Sequence, residues 1–114
     1  MNSSIQGHFT LAEACELLPP PGTHPRSAEV FRHGSMLLKL SAPRGHDPQP
    51  PHTRDELYFV AAGSGWFING ETRHPFARGD VLFVPAGRVH RFEDFSDDLA
   101  VWVVFYGPEG GEPA

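Results

Sequence analysis

The sequence holds a single cysteine, Cys15, among 114 residues. An internal disulfide is therefore excluded, and nothing in the composition calls for an oxidising compartment. Long apolar runs are missing as well; none approaches the roughly 20 residues that a membrane-spanning helix needs. Met1 to Thr10 lacks the charged start and apolar core of a secretory leader. There is no basic stripe either, because nine Lys and Arg residues are scattered among fourteen Asp and Glu, for a net charge of -5. Such a surface is a poor partner for duplex nucleic acid. These absences lead to the expectation of a cytoplasmic protein that engages neither nucleic acid nor membrane.

What the chain has in quantity is punctuation. Twelve Gly and twelve Pro break it into short segments, the texture of an all-β sandwich or closed barrel. Length allows one domain with a single core. Thr10 to Leu18 reads as a short helix, with Thr10 as N-cap, Glu13 closing a capping box, and Pro19-Pro20-Pro21 forbidding continuation. From Ala28 onward only strands are expected. Ala28–His33 and Ser35–Leu40 form a hairpin about Gly34, and a proline-rich loop runs from Ala42 to Pro51. Further strands are expected at Glu56–Ala61, Trp66–Ile68, Glu71–Phe76, Val81–Val84, Val89–Phe92 and Leu99–Tyr106. Asn69-Gly70 is the strongest hairpin signal in the chain. The spacing predicts about eight strands, one every ten residues or so. Residues 1–27 are read as an N-terminal segment carrying the helix, 28–107 as the β domain, and 108–114 as a flexible tail.

Strand parity singles out one face. Residues 52, 54, 56, 58 and 60 alternate to the same side, so His52, Glu56, Tyr58 and Val60 would form a polar mouth above an apolar floor. Taken alone, the His52–Glu56 pair reads as two solvated residues at a strand end. A second block, Gly79-Asp80-Val81-Leu82-Phe83-Val84-Pro85-Ala86-Gly87-Arg88-Val89-His90, alters that reading. It should build a strand, a turn and a strand that carries His90 to a neighbouring position. Two imidazoles and one carboxylate then converge, a donor set suited to Fe(II), Mn(II), Zn(II) or Ni(II).

The two blocks resemble the paired motifs of the cupin superfamily, in particular its small single-domain bacterial members. The first motif, His-x-His, three or four residues, Glu, six residues, Gly, is matched at His52, Glu56 and Gly63. The second, Gly-x5-Pro-x-Gly-x2-His-x3-Asn, is matched at Gly79, Pro85, Gly87 and His90, and fifteen residues separate Gly63 from Gly79. The resemblance implies a double-stranded β-helix (jelly-roll-like) barrel holding a divalent metal ion on His52, Glu56 and His90. It also implies a small organic molecule inside the barrel as ligand or substrate, and a homodimer. As an enzyme such a protein would be a dioxygenase, isomerase or lyase; as a binding module it would hold its ligand without turnover.

Two positions depart from the family pattern. Pro50 stands where the first histidine belongs, and Asp94 stands where Asn is usual. Proline offers no ligand, which leaves three arrangements: a three-residue site completed by water, a site completed by Gln49 or His46 from the preceding loop, or a barrel without metal. Tyr58, on the Glu56 face, is the candidate catalytic acid or orienting group, although core packing is the more ordinary reading of it. Arg54, Arg88 and Arg91 are candidate holders of a carboxylate substrate, although arginines near a barrel rim are usually just solvated. His8, His24, His33 and His74 read as surface residues, and Cys15, on the apolar face of the helix, as a small buried apolar residue. Leu57 and Phe59 make the opposite face apolar as well, so either the N-terminal helix or a second subunit should cover it.

Overall fold

The Thr10 hydroxyl accepts a hydrogen bond from the Glu13 amide at 3.1 Å, and the Glu13 carboxylate accepts one from the Thr10 amide at 3.2 Å. This reciprocal cap, worth about 1 kcal/mol, starts α1 (Leu11–Glu16). The computed structural model describes residues 7–114; the first six, part of the stretch read for a leader, lie outside it.

Eight strands follow: β1 (Ser27–His33), β2 (Met36–Ser41), β3 (Asp55–Ala62), β4 (Ser64–Asn69), β5 (Thr72–Ala77), β6 (Val81–Val84), β7 (His90–Glu93) and β8 (Ala100–Tyr106). Each lies within one or two residues of its expected position. A five-stranded sheet has the order β1-β2-β8-β3-β6, and a three-stranded sheet the order β5-β4-β7. All pairings are antiparallel.

The expected closed barrel is not formed. The two sheets pack face to face as a sandwich, with no strand ladder joining them among the described residues. The chain crosses from β3 to β4 through Gly63 and Gly65, which take it over the β7–β8 connection at very short range. A Cβ on Gly63 would stand 2.8 Å from the Leu99 Cα, and one on Gly65 would stand 2.6 Å from the Phe95 Cα. The crossing from β6 to β7 is made by Pro85-Ala86-Gly87, where Pro85 has no amide to donate to a ladder.

Alternation sorts the side chains. Tyr58, Val60, Leu82, Val84, Val101 and Val103 of the larger sheet meet Phe67, Phe76 and Phe92 of the smaller one in a buried core, with Leu99 of the β7–β8 connection among them. On the outer face of the larger sheet a second cluster forms. There Ala14 of α1 is buried with Val30, Leu40 and Ala100, and Phe31, Leu38 and Trp102 pack around them. The helix therefore covers the β1–β2–β8 part of that face, but it turns Ala14 to the sheet and leaves Cys15, expected to be buried, exposed. It leaves the β3–β6 end open, where Phe59, Val81 and Phe83 are 39%, 55% and 46% exposed.

The last residues are held rather than free. The Gly110 amide donates to the Thr53 carbonyl at 2.7 Å, and the Glu112 amide donates to Asp55 Oδ2 at 2.8 Å. Asp55 Oδ1 accepts from the Ala86 amide at 2.9 Å. One buried carboxylate thus ties the tail and the β6–β7 turn to the start of β3, and these hydrogen bonds hold it below the usual carboxylate range.

Candidate metal centre

Both motif blocks meet at one end of the sandwich. The Gly87 amide donates to the His52 carbonyl at 2.7 Å, so the turn after β6 fastens the segment ahead of β3. His90 opens β7 opposite Asn69 of β4. Glu56 lies on β3 between Val84 of β6 and Phe105 of β8. The two sheets thereby supply one side chain each, and the loop before β3 supplies His52.

Glu56 Oε1 stands 2.9 Å from His52 Nδ1 and 3.0 Å from His90 Nε2. One donor atom from each residue lies within 4.8 Å of the others. Glu56 and His90 are almost wholly buried, while the His52 side chain keeps 30% of its surface exposed. The His90 contact is short but not aligned as a hydrogen bond, so His90 Nε2 and Glu56 Oε2 are both buried without a hydrogen-bond partner. Buried polar atoms left unmatched are uncommon and costly. A carboxylate oxygen and an imidazole nitrogen in that state, on residues whose ligand atoms cluster with that of His52, are a donor set that suits a cation.

The ring of His90 is already set for that role. Its Nδ1 lies 2.9 Å from the Arg88 carbonyl oxygen, which can only accept, so Nδ1 carries the proton and Nε2 of the neutral ring has a free lone pair. Desolvation would push the Glu56 carboxyl up, but its contacts with both imidazoles outweigh burial and hold it below the ordinary range. His90 moves the other way. Burial would lower it, and the contacts with Glu56 and the Arg88 carbonyl, with the nearby Asp47 charge, raise it.

A cavity of about 90 Å³ opens beside the cluster. Gln49, Pro50, His52, Glu56 and Tyr58 line its near end, and Val103 and Phe105 its floor. Tyr58 donates from its hydroxyl to Gln49 Oε1 at 3.3 Å. Burial and the neighbouring carboxylates push the phenol well above its ordinary value, so it is a proton donor and not a phenolate. Gln49 Nε2 in turn donates to Asp47 Oδ2 at 2.5 Å, and the same oxygen accepts from the Phe92 amide at 2.9 Å. His46 takes a different place, with its ring 4.2 Å from that of His24, on a separate surface depression.

Of the three arginines considered as carboxylate holders, none lines the cavity. Arg54 donates to the Gly107 carbonyl, Arg88 to Asn69, and Arg91 to Glu93. Two residues that do line it, Asp47 and Lys39, were not singled out from the sequence. Lys39 had a signal, as a charged residue inside the otherwise apolar run Met36–Leu40. Asp47 sits in an irregular loop, where no periodicity points anywhere.

The family model for the Cupin domain matches residues 38–106, most of the chain and all of the cluster. The chain belongs to the cupin family. A relative in sequence is an uncharacterized protein of Streptomyces coelicolor, 48% identical over 63 residues; that match spans 55% of this chain and 60% of the relative. Among solved structures, a double-stranded β-helix protein from Klebsiella pneumoniae superposes with a TM-score of 0.69 at 15% identity, over 90% of each chain. A cupin-2 domain protein from Shewanella frigidimarina gives 0.67 at 12% identity, over 90% of this chain and 98% of its own. Likeness at that identity speaks for the fold alone.

Proposed function

We propose that this cupin binds a divalent metal ion on His52 Nδ1 or Nε2, a Glu56 oxygen and His90 Nε2, and that it receives a small organic molecule in the adjoining cavity. One observation carries the reading: His52, Glu56 and His90 each offer a ligand atom within 4.8 Å of the others, and two atoms of the group, Glu56 Oε2 and His90 Nε2, are buried without a hydrogen-bond partner. Two imidazoles and one carboxylate suit Fe, Mn, Zn or Ni. A set of three leaves coordination positions for a ligand, and the bound metal would supply a Lewis acid there. Pro50 walls the cavity, and Gln49 is engaged with Tyr58 and Asp47, so the reading rests on three protein ligands. Tyr58 faces the same space, and its protonated hydroxyl, which donates to Gln49 Oε1 at 3.3 Å, would have to turn from Gln49 to donate to a ligand.

Elemental analysis of the purified protein, with His52→Ala and His90→Ala beside wild type, tests this. About one metal ion per wild-type chain and a sharp loss in both variants are expected. A wild type that takes up no metal on titration with Zn, Mn, Fe and Ni would overturn the reading. Equal retention by both variants would show that the ligands lie elsewhere.

We further propose that the open apolar face at Phe59, Val81 and Phe83 is covered by a second copy of this chain. The helix, the other candidate cover, is already spent on the β1–β2–β8 part of the sheet.

A further inference from the structure

Lys39 is the only lysine in the sequence. Its neighbours Leu38 and Leu40 pack outward in the cluster that holds α1, so alternation turns Lys39 inward. There it lines the cavity together with Ser27 and Ser41, which pair with each other across β1 and β2. Glu29 stands across the ladder from Lys39, but that carboxylate is bound to Arg32 at 2.9 Å, and no described residue forms an ion pair with Lys39. Arg26 also lines this end, but its guanidinium is used on the Pro19 and Ala42 carbonyls at 2.9 and 3.0 Å. Lys39 is therefore the one cationic side chain of the lining with no partner among the described residues.

The strand register gives its relation to the metal-binding cluster. Lys39 pairs with Val103, and Val103 pairs with Tyr58. Two strand spacings, roughly 9.6 Å, thus separate the Lys39 and Tyr58 backbones. Glu56 lies two residues along β3 from Tyr58, on the same face. The cavity accordingly has a cationic, hydroxyl-bearing end at Lys39, Ser27 and Ser41, and an apolar floor at Val103 and Phe105. Its other end carries the His52–Glu56–His90 cluster. Lys39 is half-buried as a residue and forms no ion pair among the described residues, so its charge is free to meet an anionic group of a ligand. Water-sized groups need about 10–15 Å³ each, so 90 Å³ has room for roughly six to nine of them.

We propose that Lys39, assisted by Ser27 and Ser41, holds the carboxylate of a small organic acid of about three or four carbons, whose far end reaches the cluster at Glu56. This specifies the ligand of the cavity described above and rests on that cavity being the binding site. It does not require the metal.

The test titrates malonate, succinate and their uncharged diamides into wild type, Lys39→Met and Lys39→Arg by calorimetry. Each protein is used both zinc-loaded and after metal removal, with zinc content measured in parallel. The acids should bind wild type at least about ten-fold more tightly than the diamides, the size of one charge-assisted hydrogen bond. In the metal-free protein Lys39→Met should erase that preference, and Lys39→Arg should keep most of it. Because there is one lysine, lysine carrying a carbon-13 label at Cε gives a single signal in wild type. That signal should move on adding malonate and stay in place on adding malonamide, whether or not the variants fold.

Acids and diamides that bind alike, a Lys39→Met protein that binds acids as wild type does, or a Cε signal indifferent to malonate would each overturn the proposal. A protein that takes up no zinc yet keeps the Lys39-dependent preference for acids supports it and defeats the metal reading. Zinc uptake without that preference does the reverse.

Discussion

The Arg88 carbonyl holds the Nδ1 proton of His90 at 2.9 Å. That contact fixes the tautomer whose Nε2 lone pair lies toward Glu56, the orientation His90 would need as a metal ligand. Metal binding needs His90 neutral, and the same surroundings that orient the ring raise its pKa. Metal uptake should therefore release a proton from His90, and affinity should fall as pH drops. The decline should begin above the pH at which an ordinary imidazole, with a pKa of about 6.5, becomes charged. Calorimetry with zinc in buffers of different ionisation enthalpy measures the released proton. An affinity flat from pH 8 to pH 6 would contradict this.

The metal-free protein should show a pH window of its own. The raised His90 contributes stability that is present below the ordinary imidazole range and is lost as pH rises through its folded-state value. The lowered Glu56 contributes stability that is present above the ordinary carboxylate range and is lost as pH falls through its folded-state value. Between those limits the two reinforce each other as an ion pair. Thermal unfolding of the metal-free protein should then show a maximum on the acid side of neutrality. Zinc should raise Tm more at pH 8 than at pH 5.5. His90→Ala should flatten the alkaline side of the metal-free profile.

Two motif glycines separate crowding from backbone conformation. Gly63 and Gly79 share a φ of +94°, but a Cβ at Gly63 would meet the Leu99 backbone and Ser96 Oγ at 2.8 Å, whereas at Gly79 nothing lies within 4 Å. Gly79→Ala should cost only the left-handed backbone penalty, about 1–2 kcal/mol. Gly63→Ala should add overpacking against backbone that cannot yield, for about 2–5 kcal/mol in total. Urea unfolding of both variants compares them directly. Equal losses would show that conformation alone explains the motif glycines.

Much of this architecture was legible in the chain because its signals are local. Thr10 and Glu13 announced the helix start, Asn69-Gly70 the hairpin, and the alternation of Glu56, Tyr58 and Val60 the buried face of β3. The meeting of His52, Glu56 and His90 came from two spaced blocks whose glycines the structure explains: Gly87 donates to the His52 carbonyl, and Gly63 makes the close crossing. What was not legible depends on long-range placement. Closure into a barrel depends on how the sheet edges meet, and no residue of β6 or β7 reports that. Asp47 acquires its role only because the loop lays it against the Phe92 amide, 45 residues away in sequence. Arg54, Arg88 and Arg91 are drawn to other partners by the same long-range packing.

Asp47 should matter for the mouth of the cavity beyond its charge. Its Oδ2 accepts from the buried Phe92 amide and from Gln49, and burial pushes its carboxyl up despite both bonds. Asp47→Ala strands the Phe92 amide and frees Gln49 and the loop, for an expected loss of about 1–3 kcal/mol. Asp47→Asn keeps one acceptor and removes the desolvated charge, so it should stay within about 1 kcal/mol of wild type at neutral pH. Hydrogen exchange at the Phe92 amide should speed up in the alanine variant and change little in the asparagine variant. Unchanged exchange in both would show that the loop is held by something else.

The outer face of β3 and β6 carries the last prediction. Leu57 and Phe59 pair across the ladder with Phe83 and Val81, and three of these four are more than a third exposed. A contiguous apolar surface of this kind on an antiparallel sheet is ordinarily covered. If a second copy covers it, the wild type should elute and scatter light as a dimer, and Phe83→Glu should be monomeric with its fold and metal content intact. The substitution points away from the cavity, because Phe83 shares the outward parity of Val81. A wild type that stays monomeric at high concentration, or a Phe83→Glu protein that stays dimeric, would place the cover elsewhere.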